Sequence, residues 1–197
     1  MSTIDTYLAP TRLDEALEAL RAGGATILAG GTDLMPQSQS GKTPLGRRLV
    51  NVRRVPELHG VVLASGALHI GALTTITGLM ANELVRRHLP ILIEACEHFA
   101  SSQIRNVATL GGNVCNASPA GDTLVPLLAL GAAVELACKP AGAVATRAMP
   151  LAEFVVGPGR TGRAPGELVT AVLVPVPPAG GVQRFYKFGT RPGLDIS

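Results

Sequence analysis

Aromatic residues make up only 3% of this 197-residue chain, and their scarcity removes one class of function at the outset. Proteins that grip single-stranded nucleic acid stack bases on aromatic rings, and few rings are available here. The net charge of +3 does not reverse that reading. The basic residues come as scattered pairs, Arg47-Arg48, Arg53-Arg54 and Arg86-Arg87, and form no continuous stripe. Nucleic acid is not an expected partner. Cysteine is nearly as sparse: Cys96, Cys115 and Cys138 are too far apart for an iron–sulfur or zinc signature, and three cannot form a paired disulfide framework. Cys96 reads as a small core residue. His59, His69, His88 and His98 are equally dispersed, so no metal site is expected. No apolar run reaches the roughly 20 residues that span a bilayer. Met1-Ser2-Thr3-Ile4-Asp5 does not open like a signal peptide, so the expected location is the cytoplasm. A hydrolytic nucleophile–base pair is missing too, as are the spaced glycines of a nicotinamide-binding Rossmann unit.

What the chain does have is apolar mass. Hydrophobic residues at 47% against 16% charged predict a compact protein, with enough length for one good core or two small ones. The first 55 residues read as alternating strand and helix. Thr11 is placed to cap a helix in which Leu13, Ala16, Leu17 and Leu20 share one face, and Gly23-Gly24 ends it. Thr26–Ala29 and Leu49–Val52 read as buried strands, and this β–α–β order favours parallel pairing. From Pro56 the texture changes. Val61–Leu63 and Leu68–Ile70 predict a hairpin around Ala64-Ser65-Gly66-Ala67. A helix follows Thr74-Thr75, another starts near Pro90, and Asp122 is a candidate N-cap for a helix over 123–130. Later strands are expected at Ala133–Ala137, Thr146–Met149 and Leu168–Val174. The prolines at 175, 177 and 178 with Gly180-Gly181 predict a linker, after which Phe185-Tyr186-Lys187-Phe188 reads as the opening of a further strand.

Two glycine-rich segments carry the functional signal. The first, Leu28-Ala29-Gly30-Gly31-Thr32-Asp33-Leu34, follows a strand directly, so its successive backbone N–H groups could cradle a pyrophosphate. The bland alternative is an ordinary strand-to-helix turn. Asp33 should not face phosphate, since like charges repel, and its carboxylate is expected to cap a local turn. The second is longer: Gln103-Ile104-Arg105-Asn106-Val107-Ala108-Thr109-Leu110-Gly111-Gly112-Asn113, continued to Cys115-Asn116, Gly121 and Asp122. Read as a loop, it lets a ligand approach the main chain, because glycine has no Cβ in the way. The Gly111 and Gly112 amides would reach the same pyrophosphate, with Thr109 and Asn113 adding side-chain hydrogen bonds. Two such segments suggest one long ligand clamped between two lobes.

These segments, together with Tyr7-Leu8-Ala9-Pro10 near one end and Lys187-Phe188-Gly189 near the other, resemble the FAD-binding subunit or domain of the molybdenum hydroxylases. That group includes the medium subunit of carbon monoxide dehydrogenase and the middle domain of xanthine dehydrogenase. The resemblance implies an α+β fold, a two-lobed FAD-binding domain of the PCMH type. A small parallel βαβ lobe is expected over residues 1–55 and a larger mixed or antiparallel lobe over 56–176. Residues 177–197 would be a linker and the threshold of a C-terminal α/β domain that this chain lacks.

The cofactor implied is noncovalent FAD. The resemblance places Ala108, Thr109, Leu110, Gly112, Asn113, Asn116, Gly121 and Asp122 along it, with Asp122 as acceptor for ribityl hydroxyls. It also places Phe99, Leu168, Val169 and Lys187 near the flavin ring. For Phe99 a core aromatic, and for Lys187 an exposed strand lysine, are the competing readings. No catalytic side chain is expected. The implied function is electron transfer, from iron–sulfur centres through FAD to a terminal acceptor. The molybdopterin would sit on a large partner subunit and the 2Fe–2S clusters on a small one. A self-sufficient FAD-dependent oxidoreductase and a non-catalytic flavin-binding assembly module are the alternatives.

Overall fold

The computed structural model describes residues 4–188. The small lobe runs β1 (Thr6–Leu8), α1 (Leu13–Arg21), β2 (Ala25–Leu28), α2 (Leu34–Gln39) and β3 (Arg48–Asn51). β3 is the middle strand and pairs parallel with both β1 and β2, as the β–α–β order predicts. Helix α1 forms because Ala16, Leu17 and Leu20 fall on one face, where all three are buried. Its cap differs from expectation: Arg12 is the N-cap residue, and Thr11 instead donates its N–H to the Glu15 carboxylate. One residue of offset turns Thr11 from cap into the acceptor's partner.

The large lobe opens with the hairpin β4 (Val61–Ala64) and β5 (Ala67–Gly71). Helices α3 (Ile76–Ala81), α4 (Glu83–His88), α5 (Pro90–Glu97), α6 (Ser102–Arg105), α7 (Leu110–Asn116) and α8 (Leu124–Ala129) follow. The chain returns to the sheet as β6 (Ala133–Cys138) and β7 (Ala145–Pro150). It then forms α9 (Leu151–Phe154), the small ribbon β8 (Val155–Gly157) and β9 (Arg160–Thr161), and finally β10 (Leu168–Pro175). The sheet order is β4-β5-β10-β6-β7, antiparallel throughout. The last strand therefore inserts in the middle, which carries residues 168 and 169 into the heart of the molecule.

Side-chain caps set several helix starts. Thr75 accepts the Gly78 N–H at 3.0 Å, and Asn82 ends α3 while accepting from Leu84 and Val85 at the start of α4. Helix α4 was not expected from the sequence. Asp122 is not the cap of α8: Thr123 holds that position and makes no side-chain cap bond. The expected strand at 185–188 is absent as well. Residues 176–188 take no helix or strand, and 182–188 alternate exposed and half-buried along a segment pinned by side chains. There Arg184 and the Phe185 N–H bond to Glu94 in α5. The threshold segment Gly193–Ser197 lies outside the described residues.

Two apolar cores result. One fills the large lobe between sheet and helices, with Ile70, Val134 and Val172 against Leu79, Leu92, Leu110 and Leu127, and Cys96 is buried in it. The other joins the lobes: Leu17, Leu20 and Val50 pack with Leu58, Leu73, Ala137 and Leu168. Burying an aliphatic side chain stabilises by about 1.5–3 kcal/mol, so this shared core makes the lobes one structural unit.

Candidate functional site

The first glycine segment is the turn from β2 into α2. Gly31 sits at φ +77°, where a Cβ would be strained, and its carbonyl accepts the Met35 N–H at 3.0 Å. Gly30 is needed for a different reason. A Cβ there would lie 2.3 Å from the Val107 carbonyl oxygen. The small lobe thus touches the chain just ahead of the second motif with no room for a side chain, and that contact brings the two glycine segments together. Asp33 stands at the N-cap position of α2 but makes no side-chain cap bond, contrary to the expected local cap. Asp33 is exposed as a residue, but partial burial of its carboxyl in the cleft raises its pKa above the usual value, with Lys42 opposing.

The second motif is a helix start, not an open loop. Thr109 is the N-cap of α7 and its hydroxyl accepts the Gly112 N–H at 3.1 Å. The Leu110 N–H goes to the Thr74 carbonyl and the Gly111 N–H to the Ala72 carbonyl. The Gly111 and Gly112 amides expected to face a pyrophosphate are therefore bonded within the protein. Gly111 is required by packing, since a Cβ would come within 2.7 Å of the Ala72 Cβ. Asn113 is buried and accepts the Thr123 hydroxyl at 2.6 Å, tying α7 to the start of α8.

Between the two segments lies a cleft of about 870 Å³, within the range of small-molecule and cofactor sites. Of the sequence-derived candidates, Ala29, Gly30, Gly31, Thr32, Asp33 and Leu34 line it from the small lobe. Phe99, Ala108, Thr109, Gly111, Gly112, Asn113, Asn116, Leu168 and Val169 line it from the large lobe. Phe99 is nearly buried in the large core and also lines the cleft.

Five candidates stand elsewhere. Leu110 is fully buried in the core, and Leu28 packs beneath Gly31. Gly121 borders a neighbouring apolar groove. Asp122 and Lys187 face each other, 2.7 Å apart and largely buried, rather than the cleft. A buried carboxylate without a cation is costly, and Lys187 answers that cost for Asp122.

Several wall residues were missed by sequence reasoning. Gln37, Lys42, Thr43 and Arg163 bring polar and cationic groups to the cleft. Only the proximity of Lys42 to the first glycine segment could have hinted at one of them. Arg163 is positioned by a network around Glu167. That carboxylate accepts Arg147 Nε at 2.6 Å and Nη2 at 2.8 Å and the Ala164 N–H at 2.7 Å, while Arg163 donates to the Glu167 carbonyl. The bond from Arg147 is the main reason the Glu167 pKa is lowered. Cys115 also lines the cleft, where burial pushes its thiol up to about 11, against a smaller opposing pull from Arg163.

The walls divide by chemistry. Ile27, Leu58, Phe99, Leu168 and Val169 offer apolar contact, whereas Thr32, Gln37, Lys42, Thr43, Asn116 and Arg163 offer donors and cations. A long ligand with a flat apolar end and an anionic polar stretch matches that division, and FAD is such a ligand.

Comparison with known proteins agrees. The pattern of the FAD binding domain in molybdopterin dehydrogenase matches residues 2–177. The xanthine dehydrogenase FAD-binding subunit of Escherichia coli O157:H7 is 37% identical over 175 residues, covering 88% of this chain and 58% of that protein. The carbon monoxide dehydrogenase medium chain of Afipia carboxidovorans is 33% identical over 189 residues, covering 95% and 64% respectively. A solved carbon monoxide dehydrogenase from Hydrogenophaga pseudoflava superposes with a TM-score of 0.88 at 28% identity, covering 98% of this chain and 66% of that one. The chain thus spans less than two thirds of the length of these relatives. With the motif, the cleft and the fold in agreement, this chain belongs to the FAD-binding domains of the molybdopterin dehydrogenases.

Proposed function

We propose that this chain is the flavin-holding part of a molybdenum hydroxylase, receiving electrons from 2Fe–2S centres on a small partner subunit and delivering them to a terminal acceptor. Substrate oxidation belongs to a molybdopterin-binding large subunit. Its two lobes divide near residue 55, and the linker that begins at residue 177 is tied back onto the large lobe through Gln183, Arg184 and Lys187. The cytoplasm is the proposed location. No helix among the described residues is long and apolar enough to cross a membrane.

One observation carries this reading: the cleft between the two glycine segments is lined by residues from both lobes, with apolar side chains at Phe99, Leu168 and Val169 and polar or cationic ones at Thr32, Lys42 and Arg163. Bound FAD supplies a redox centre that stores two electrons and can exchange them singly. The protein's own residues do the holding. Gly31 and Thr32 present the small-lobe wall of the cleft, and Gly30 lets that wall close against Val107. Lys42 and Arg163 balance anionic charge, and Thr32, Thr43 and Asn116 present hydrogen-bonding groups. Phe99, Leu168 and Val169 exclude water from an apolar end. Leu28, Leu110, Gly121, Asp122 and Lys187 frame the site from behind, the Asp122–Lys187 pair fastening the loop before α8 to the terminal segment.

The test is anaerobic flavin bleaching by an organic substrate, with and without the two partner subunits. Bleaching only in their presence supports the electron-relay role. Bleaching by the chain alone would promote the self-sufficient oxidoreductase in its place.

A further inference from the structure

Helix α2 forms one wall of the cleft, yet none of its six residues is buried. Apolar packing therefore does little to fix it against the large lobe. Its position depends on Gln37, whose side-chain amide is used at both ends. Oε1 accepts the Thr43 hydroxyl at 2.9 Å, and Nε2 donates to Asn116 Oδ1 at 3.1 Å. The Thr43 N–H also reaches the Gln37 carbonyl. Gln37, Thr43 and Asn116 all line the cleft. Among the described residues, the Gln37–Asn116 bond is the side-chain hydrogen bond that joins cleft walls from different lobes. Elsewhere the lobes meet through their shared apolar core, through the Gly30 backbone against Val107, through the Leu13 N–H donated to Glu57 at 3.1 Å, and through Lys139, which pairs with Asp14 at 2.6 Å.

We propose that Gln37 is a positioning residue, and that its bond to Asn116 latches α2 over the cleft and slows escape of the bound cofactor. The core-packed side of the lobe junction is fixed, since opening it would expose leucines and valines. Beyond the backbone contact of Gly30 with Val107, the α2 side is held by one neutral amide–amide bond, which is weak enough to break and reform readily. Opening there uncovers Gly31, Thr32 and Asp33 without disturbing either core. The latch rests on the assignment of FAD to this cleft.

The experiment compares wild type with Gln37→Met, which keeps the side-chain volume and removes both hydrogen bonds, in native and Asn116→Ala backgrounds. FAD release is followed by recovery of its fluorescence on dilution. Backbone amide exchange over residues 34–43 is followed without FAD. Gln37→Met should speed release about 3–10-fold, the loss of the one of its two hydrogen bonds that crosses between the lobes, while association changes by less than about twofold. In the Asn116→Ala background the same substitution should add little to release, because the bond between the lobes is already gone and the remaining Thr43 bond lies within the small lobe. Amide exchange in α2 should quicken in the ligand-free variant. Unchanged exchange and release would overturn the latch, as would an equal effect in both backgrounds. Should wild type bind no FAD, the cofactor assignment falls, and amide exchange alone decides whether the latch exists.

Discussion

Glycine serves different purposes at Gly30 and Gly112, and substitutions separate them. At Gly30 a methyl group would collide with the Val107 backbone oxygen, which cannot turn aside. Gly30→Ala should therefore cost about 1–3 kcal/mol, the usual penalty of overpacking, and lower FAD retention as the lobes are pushed apart. At Gly112 the nearest obstacle is only the Thr109 hydroxyl. Turning it away loses a cap worth about 0.5–2 kcal/mol, offset by the roughly 0.8–1.0 kcal/mol that alanine gains over glycine in a helix. Gly112→Ala should melt within a few degrees of wild type, yet weaken FAD, because the methyl enters the cleft. Thermal melts paired with flavin titration check both. Equal destabilisation by the two would show that Gly30 is not a lobe contact.

Cys115 gives a second prediction at this scale. With its thiol pushed up to about 11, little thiolate exists at neutral pH, whereas an ordinary cysteine near 8.5 carries a few per cent. Alkylation at pH 7–8 should be slow, should accelerate only as pH approaches the raised value, and should slow further with FAD in the cleft. Rapid labelling at pH 7 that FAD does not affect would remove Cys115 from the wall.

At the scale of elements, α1 and the sheet strands were legible because their signals are local. The spacing of Leu13, Ala16, Leu17 and Leu20 and the apolar runs at 133–137 and 168–174 carry their periodicity within a few residues. The nature of the second motif was not legible. Gly111-Gly112 reads as a loop, but the Leu110 and Gly111 N–H groups are taken by the Thr74 and Ala72 carbonyls, far away in sequence, and the Gly112 N–H by the Thr109 hydroxyl, which makes it the first turn of α7. Asp122 was misjudged for the same reason, its partner Lys187 being 65 positions distant. Pairings of this kind follow from the fold and leave no local pattern.

The segment before β10 offers a pH test. The Glu167 pKa is lowered in the folded protein, first by its bond to Arg147. Its contribution to stability is therefore complete above the unfolded carboxyl value of about 4.3 and lost as pH falls through the lower, folded value. Glu167→Gln should be less stable than wild type by about 1–3 kcal/mol at pH 7, as for hydrogen bonds to charged groups. The gap should narrow as pH drops below 4. A gap that stays constant between pH 7 and pH 3 would mean that ionisation of Glu167 does not hold this segment.

Taken whole, the molecule is two lobes welded along one side by a shared core and left open along the other, where the glycine segments meet. The two-lobe plan and the glycine-marked cleft were visible in the sequence, but the polar contribution of Gln37, Lys42, Thr43 and Arg163 to the walls was not. Each is an ordinary surface residue type, and only folding assembles them. The central claim is that both lobes grip one long dinucleotide, and titration of the purified chain with FAD and with FMN tests it most directly. A ligand reaching both glycine segments should bind about tenfold or more tighter than the mononucleotide, a difference of roughly 1.4 kcal/mol, and Gly30→Ala should erase most of that preference. Equal affinity for FAD and FMN would contradict the two-lobe grip.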